Sequence, residues 1–192
     1  MNSIHIVGSI IGCSNFSEGN VDYQCKYEIQ TNATNTNPSA EESMTKETNL
    51  HQLPLWILQN GETNGTTQLH ESTTNCDRGI WNHPIDVQFI STGIKGWPTL
   101  VFEVWNQNSW GRRSFAGFGS HRPFPTSGAN NSDMNEVDVI IWRPQDPTLW
   151  ERIRCSIMGR PRKRYQDCVH TMSNVESVGI VHLSIKVLVS RI

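Results

Sequence analysis

An all-β fold is what this sequence predicts: an antiparallel sandwich of about eight strands with one short helix near residues 147–158. Three observations lead there. Apolar side chains recur at every second position in segment after segment, the period of a strand with one buried face. Glycine and proline punctuate those segments, at Gly61, Gly65, Gly93, Gly96, Pro98 and Gly111. The length of 192 residues is that of one ordinary domain or of one domain with loop insertions, so residues 1–192 are read as a single unit with one core.

The strands follow in order along the chain. Ile4 to Ile11 is a weaker candidate, and Val21, Tyr23, Cys25, Tyr27 and Ile29 alternate plainly. Leu55 to Gln59 and Thr66 to Glu71 are again weaker. Ile85, Val87 and Phe89 alternate with Asp86 and Gln88, and Leu100, Phe102 and Val104 alternate with Val101, Glu103 and Trp105. Arg113 to Gly119 and Val137 to Trp142 come next. The last strand is the clearest: Val181, Leu183, Ile185, Val187 and Val189 point one way, with His182, Ser184 and Lys186 opposite.

The helix near 147–158 breaks the period of two. Asp146 is suited to cap its free amides, Pro147 to the first helical position and Gly159 to the left-handed residue after its end. Leu149, Trp150, Ile153 and Ile157 then share one face, expected to pack on an edge or end of the sandwich. Residues 31–52 and 126–136, rich in Asn, Thr and Ser, read as surface insertions.

Composition narrows the function classes. Hydrophobic residues make up 36% and charged residues 18%, which suits a globular chain. A formal net charge of −2 lacks the footprint of a dedicated nucleic-acid binder. The five cysteines, at 13, 25, 76, 155 and 168, form no C-x-x-C pair and no zinc spacing. Cys13, Cys25 and Cys155 sit in apolar-patterned segments, as buried free thiols do, which fits a reducing, intracellular compartment. Residues 1–13 lack a basic start and read as a strand rather than a signal peptide, and no run reaches the ~18 apolar residues of a membrane span.

Catalytic patterns are missing from the sequence. The seven histidines are scattered, no Ser lies in G-x-S-x-G, and Gly117-Phe118-Gly119 lacks the third glycine of a dinucleotide loop, so those glycines read as a strand bend. Asp133, Glu136 and Asp138 are the one close acidic group, more simply a solvated turn than a calcium site. Trp81, Trp97, Trp105, Trp110, Trp142 and Trp150 raise a sugar-stacking row, against which stands burial of most of them. Arg160-Pro161-Arg162-Lys163-Arg164 places four cations in five residues, suited to anionic headgroups or an acidic partner, and Arg112-Arg113 extends the patch if the loops meet. Cations after a helix end also complement its dipole. The chain is expected to be no enzyme and to need no metal, cofactor, nucleic acid or small-molecule substrate.

Five linked motifs carry a resemblance. Trp81-Asn82-His83-Pro84-Ile85-Asp86-Val87-Gln88-Phe89, then Gly96-Trp97-Pro98, Val104-Trp105, Ser109-Trp110-Gly111-Arg112 and Ala116-Gly117-Phe118-Gly119 are similar in order and spacing to the B9-domain family. Ile4 to Gly12, Phe16-Ser17-Glu18 and Trp142-Arg143-Pro144 extend the similarity over most of the chain. Where that family has an acidic residue and Phe, this chain has Asn108 and Trp110. The resemblance implies a C2-like sandwich without calcium ligands, cytoplasmic and cytoskeleton-associated, at the basal body and transition zone of the cilium. It implies a scaffold of the Meckel-syndrome, tectonic-like complex, which binds other B9-domain proteins and supports ciliogenesis and the ciliary membrane diffusion barrier. It also implies a structural or interface role for Trp81, His83, Pro84, Asp86, Gly96, Trp97, Pro98, Trp110, Gly111, Gly117, Gly119, Trp142, Arg143 and Pro144. Two readings compete: a peripheral anionic-lipid binder working through Arg160, Arg162, Lys163 and Arg164, and a sugar-binding sandwich.

Overall fold

Alternation in the sequence becomes nine strands among the described residues of the computed structural model. It describes residues 2–16, 21–31, 56–70, 78–93, 95–125, 134–145 and 175–191, with the isolated positions Trp150, Arg154 and Met158. In chain order the strands are β1 (Asn2–Ser14), β2 (Asp22–Gln30), β3 (Trp56–Gly61), β4 (Asn64–Thr66), β5 (Arg78–Ser91), β6 (Thr99–Gln107), β7 (Arg113–His121), β8 (Asn135–Pro144) and β9 (Val175–Arg191). All pairings are antiparallel, in the order β3-β5-β1-β9-β8-β7-β6-β2-β4.

That sheet is folded over on itself. In a flat sheet β5 and β2, six places apart in the order, would lie about 29 Å apart at the ~4.8 Å spacing of neighbouring strands. Instead the indole N–H of Trp81 in β5 donates to the carbonyl of Tyr23 in β2 at 3.2 Å. The rings of Tyr27 in β2 and His83 in β5 also meet, with centroids 5.6 Å apart. One cluster of buried side chains therefore draws on both halves: Ile4, Ile6 and Ile10 from β1, Trp81, Ile85, Val87 and Phe89 from β5, and Val181, Leu183 and Ile185 from β9 face Tyr23, Cys25, Tyr27 and Ile29 from β2 with Leu100, Phe102 and Val104 from β6.

The crease runs between β7 and β8, where a single residue pair, Phe118 with Trp142, keeps the ladder. Gly117 and Gly119 make the close approach possible. A Cβ on Gly119 would lie 2.5 Å from Ile141 Cδ1, and one on Gly117 would lie 2.8 Å from both Ile141 Cγ2 and the Trp142 carbonyl. Both glycines stand within β7, where the close approach to β8 leaves no room for a side chain.

Trp81 reaches across because β5 is bulged. Ile10 pairs with His83 and Gly12 with Ile80, so Trp81 and Asn82 together oppose Ile11. Asn82 takes φ 46°, in the left-handed region that Asn tolerates better than most residues. Pro84 follows within the strand, where β3 no longer runs alongside: the last β3 pair is Gly61 with Val87, so no ladder bond is lost to the missing N–H.

Several sequence expectations need correction. The strand expected over Thr66 to Glu71 is interrupted in its described part: β4 ends at Thr66, the Thr67 N–H donates to the Cys25 carbonyl at 2.8 Å while its hydroxyl accepts the Cys25 N–H at 2.9 Å, and pairing with β2 resumes only at the isolated bridge of Tyr23 with His70. β8 begins at Asn135, inside the range read as an insertion, and Glu136 and Asp138 stand in that strand rather than in a turn. Residues 32–55 and 126–133, the body of the two expected insertions, lie outside the described residues. So does the helix expected over 147–158, except for Trp150, Arg154 and Met158, which have helical backbone. Trp150, assigned to the packed face, is 80% exposed.

Cys13 and Cys25 are free and buried as expected, while positions 76, 155 and 168 lie outside the described residues. Burial pushes the Cys13 thiol up from 9.0 to about 12. Burial, with Cys13 and Glu103 as neighbours, pushes Cys25 up as well. The unfolded thiols ionise near their ordinary value while the folded ones stay neutral, so native stability should be intact below pH 9.0 and fall as pH climbs toward 12. Urea midpoints across that range measure it, and at pH 8 native Cys13 and Cys25 should escape iodoacetamide in peptide mapping until denaturant is added. Replacing Trp81 by Ala removes the bridge between layers and a fully buried ring, with an expected loss of about 3–5 kcal/mol in urea unfolding.

Candidate interaction surface

The β6–β7 hairpin ends in a turn whose geometry is set by one side chain. Asn108 Oδ1 accepts the N–H of Trp110 at 3.1 Å and of Arg112 at 2.9 Å. Its backbone N–H donates to the Arg112 carbonyl at 3.1 Å, and its carbonyl accepts the Gly111 N–H at 2.8 Å. Gly111 takes φ 74°, which glycine adopts without strain. The turn thereby holds Trp110 out from the sandwich, 91% exposed, the most exposed large hydrophobic residue among those described. Arg112 and Arg113 beside it are exposed, and the Arg113 Nε–H donates to Gln107 Oε1 at 3.0 Å.

The registers show what else opens on this end of the sandwich. Asp22 pairs with Gln107 at the start of β2, Ser14 closes β1 opposite Ile180, and Pro144 at the end of β8 pairs with Val175 at the start of β9. Arg143 Nε–H donates to Glu176 Oε1 at 2.5 Å across those last two strands. Arg160, Arg162, Lys163 and Arg164 lie outside the described residues.

The other motif residues are distributed through the framework. Trp81 is 2% exposed and bridges the layers. His83 packs on Tyr27, and Asp86 Oδ1 lies 2.6 Å from His5 Nε2 on the outer face. At the opposite end of the sandwich Gly96, Trp97 and Pro98 form the connection before β6, with Gly96 at φ 70°. The Trp97 Nε1–H donates to the Pro123 carbonyl at 2.5 Å, and its ring stacks on Phe124 and meets Trp56 edge-on. Trp142 joins Trp105, Phe115 and Phe118 in a second, smaller aromatic cluster at the crease.

This dispersal bears on the sugar-stacking idea. Trp81 is buried and Trp97, Trp105 and Trp142 are half-buried, so of the six only Trp110, on the β6–β7 turn, and Trp150 are exposed, and the other four offer no flat exposed row.

One alignment escaped the sequence analysis. On three adjacent strands, Ser14 Oγ lies 2.7 Å from His182 Nε2, and His182 Nδ1 lies 2.6 Å from Asp138 Oδ1. A carboxylate only accepts, so Nδ1 carries a proton and a neutral imidazole accepts the Ser14 hydroxyl at Nε2. Those are the contacts of a hydrolytic triad with the burial reversed. Ser14 is 7% exposed, whereas the Asp138 side chain is 66% exposed. A nucleophile needs access and its orienting carboxylate needs shelter, and here each has what the other requires. The only signal was register, since Ser14 and His182 are 168 positions apart. A fluorophosphonate probe is therefore expected to leave the native chain unlabelled; labelling abolished by Ser14→Ala would show a working nucleophile.

The family model described as "Ciliary basal body-associated, B9 protein" matches residues 4–188. B9 domain-containing protein 2 of Rattus norvegicus is 30% identical over 98% of this chain and 94% of its own length. Human B9 domain-containing protein 1 is 27% identical over 58% of this chain and 52% of its own. Among solved structures, a C2 domain of plant Extended Synaptotagmin 1 aligns with 100% of this chain and 97% of its own, at TM-score 0.47 and 8% identity, too slight a likeness to carry an argument.

Proposed function

The chain belongs to the B9 family of ciliary basal body-associated proteins, and on that premise we propose that it is a non-catalytic scaffold. It works in the Meckel-syndrome, tectonic-like complex at the transition zone, binds other B9-domain proteins, and supports ciliogenesis and the membrane diffusion barrier. The observation that carries the reading is the family match across residues 4–188, which takes in all the strands that build both layers and the turn that displays Trp110.

The physical character of the surface supports it. The nucleophile–histidine–carboxylate alignment has its serine sealed and its carboxylate in water, so it clamps β1, β9 and β8 rather than presenting a reactive oxygen. Among the described residues no group of His, Cys, Asp or Glu is placed to hold a metal ion. Against that background a fully displayed indole with two adjacent arginines is an interface feature, because Trp and Arg dominate the energetics of protein contacts.

A tagged full-length copy expressed in ciliated cells should concentrate in a band at the ciliary base and co-precipitate other B9-domain proteins. Purified with B9 domain-containing protein 1, it should elute as a complex without added metal or nucleotide. Diffuse cytosolic signal would reject the proposal, and so would separate elution.

A further inference from the structure

We infer that the β6–β7 turn is a preformed anchor: Trp110 enters an apolar pocket with an acidic rim on a folded protein partner, and Arg112 and Arg113 meet that rim. The inference rests on the scaffold reading and adds to it the surface that makes the contact and the chemistry of its counterpart.

Exposure comes first. The other large apolar side chains exposed on the strands, Ile57, Leu58, Ile140 and Leu188 among them, are 42–59% exposed and share their surroundings with strand neighbours. Trp110 at 91% touches almost nothing of its own chain. Packing therefore does not account for an indole here, and neither does the turn: the four hydrogen bonds that close it use backbone atoms and Asn108, none of them the Trp110 side chain.

Order comes second. An exposed side chain on a loose loop loses conformational freedom when it binds, whereas this one stands on a backbone already held by those four bonds and by Gly111 at φ 74°. A rigid aromatic with few rotatable bonds, flanked by cations, is the usual composition of a binding hot spot, which clusters in desolvated pockets of the partner. Arg112 and Arg113 then select a pocket bordered by carboxylates.

Charge at this end also separates a protein pocket from a bilayer. Asp22 opens on the same end as Arg112 and Arg113, as does the Glu176 carboxylate that Arg143 holds, and an extended anionic surface would meet these acidic groups together with the cations. A pocket that receives one indole and two guanidinium groups need not meet them.

The test uses the full chain with purified B9 domain-containing protein 1 as probe, and vesicles of phosphatidylcholine with one-fifth phosphatidylserine as the competing surface. Trp110→Ala should weaken binding to the protein probe by about 30-fold or more, mainly through faster dissociation. Trp110→Phe should retain part of it. Arg112→Glu with Arg113→Glu should slow association and flatten its salt dependence. Urea midpoints of all variants should match wild type, since the substitutions lie on the surface. Wild-type binding with Trp110→Ala within threefold of it overturns the anchor and leaves the scaffold reading standing; failure of the wild type to bind the probe at all overturns both. Loss of vesicle co-sedimentation in Trp110→Ala, with protein binding unchanged, assigns the turn to a membrane and also overturns the inference.

Discussion

Everything in this molecule depends on one sheet closing over itself, and the contact that closes it is Trp81 on Tyr23. Nine antiparallel strands left flat would expose an apolar face along their whole width, and neither edge strand is long: β4 is three residues and β3 six. Folding the sheet brings β5 and β2 face to face, and the Trp81 indole fills the space between them while its N–H reaches the Tyr23 carbonyl. That geometry requires the bulge, the bulge places Asn82 at φ 46°, and Pro84 is tolerated because only β1 still pairs with it there, β3 having ended on the other side. The glycines of β7 serve the same closure at the other side, where a Cβ would push β7 away from Ile141.

The strands were legible in the sequence because burial on one face imposes alternation, and β9 shows why it worked: Val181, Leu183 and Ile185 are buried while His182 and Ser184 between them are not. Element ends were less legible, for local reasons. Asn82 and Pro84 carry loop chemistry, so β5 read as starting at Ile85, yet it begins seven residues earlier at Arg78 because a bulge accommodates both. Thr67 and Gln68 look like strand residues, but their side chains share the pairing: the Thr67 N–H donates to the Cys25 carbonyl while its hydroxyl accepts the Cys25 N–H, and the Gln68 amide donates to the Trp81 carbonyl. In the candidate site, the character of Trp110, Arg112 and Arg113 could be read from the motif. The role of Asn108 could not, because a side chain bonding two amides two and four residues ahead depends on the turn already being closed.

The polar outer face follows a different logic from the core. His5 with Asp86 and His182 with Asp138 are cross-strand pairs on β1–β5 and β9–β8, and Ser14 extends the second onto β1. Gln88 donates to Ser3 on the same layer at 3.0 Å. These groups answer one another across neighbouring strands, so the same register that sets which apolar residues meet inside also sets which polar residues meet outside. A one-residue slip would break both sets together, which makes register strongly specified here. Ser14, His182 and Asp138 thus have a sufficient structural reason to stand in line without any chemistry being asked of them.

A body whose strands are so thoroughly cross-tied has little freedom left along its faces, and what it offers to a neighbour shifts to the places where strands end. The two ends differ. Around Trp97 the aromatic rings of Trp56, Trp97 and Phe124 lie against one another, and the Trp97 and Trp56 indoles donate to the Pro123 and Lys95 carbonyls, so those side chains are occupied in closing the sandwich. At the other end the hydrogen bonds of the β6–β7 turn are all spent on the backbone, and its indole is left over. An aromatic ring that the fold holds in place but does not use is available at low entropic cost to whatever meets it, and a cross-tied framework behind the turn is what keeps it at a fixed position.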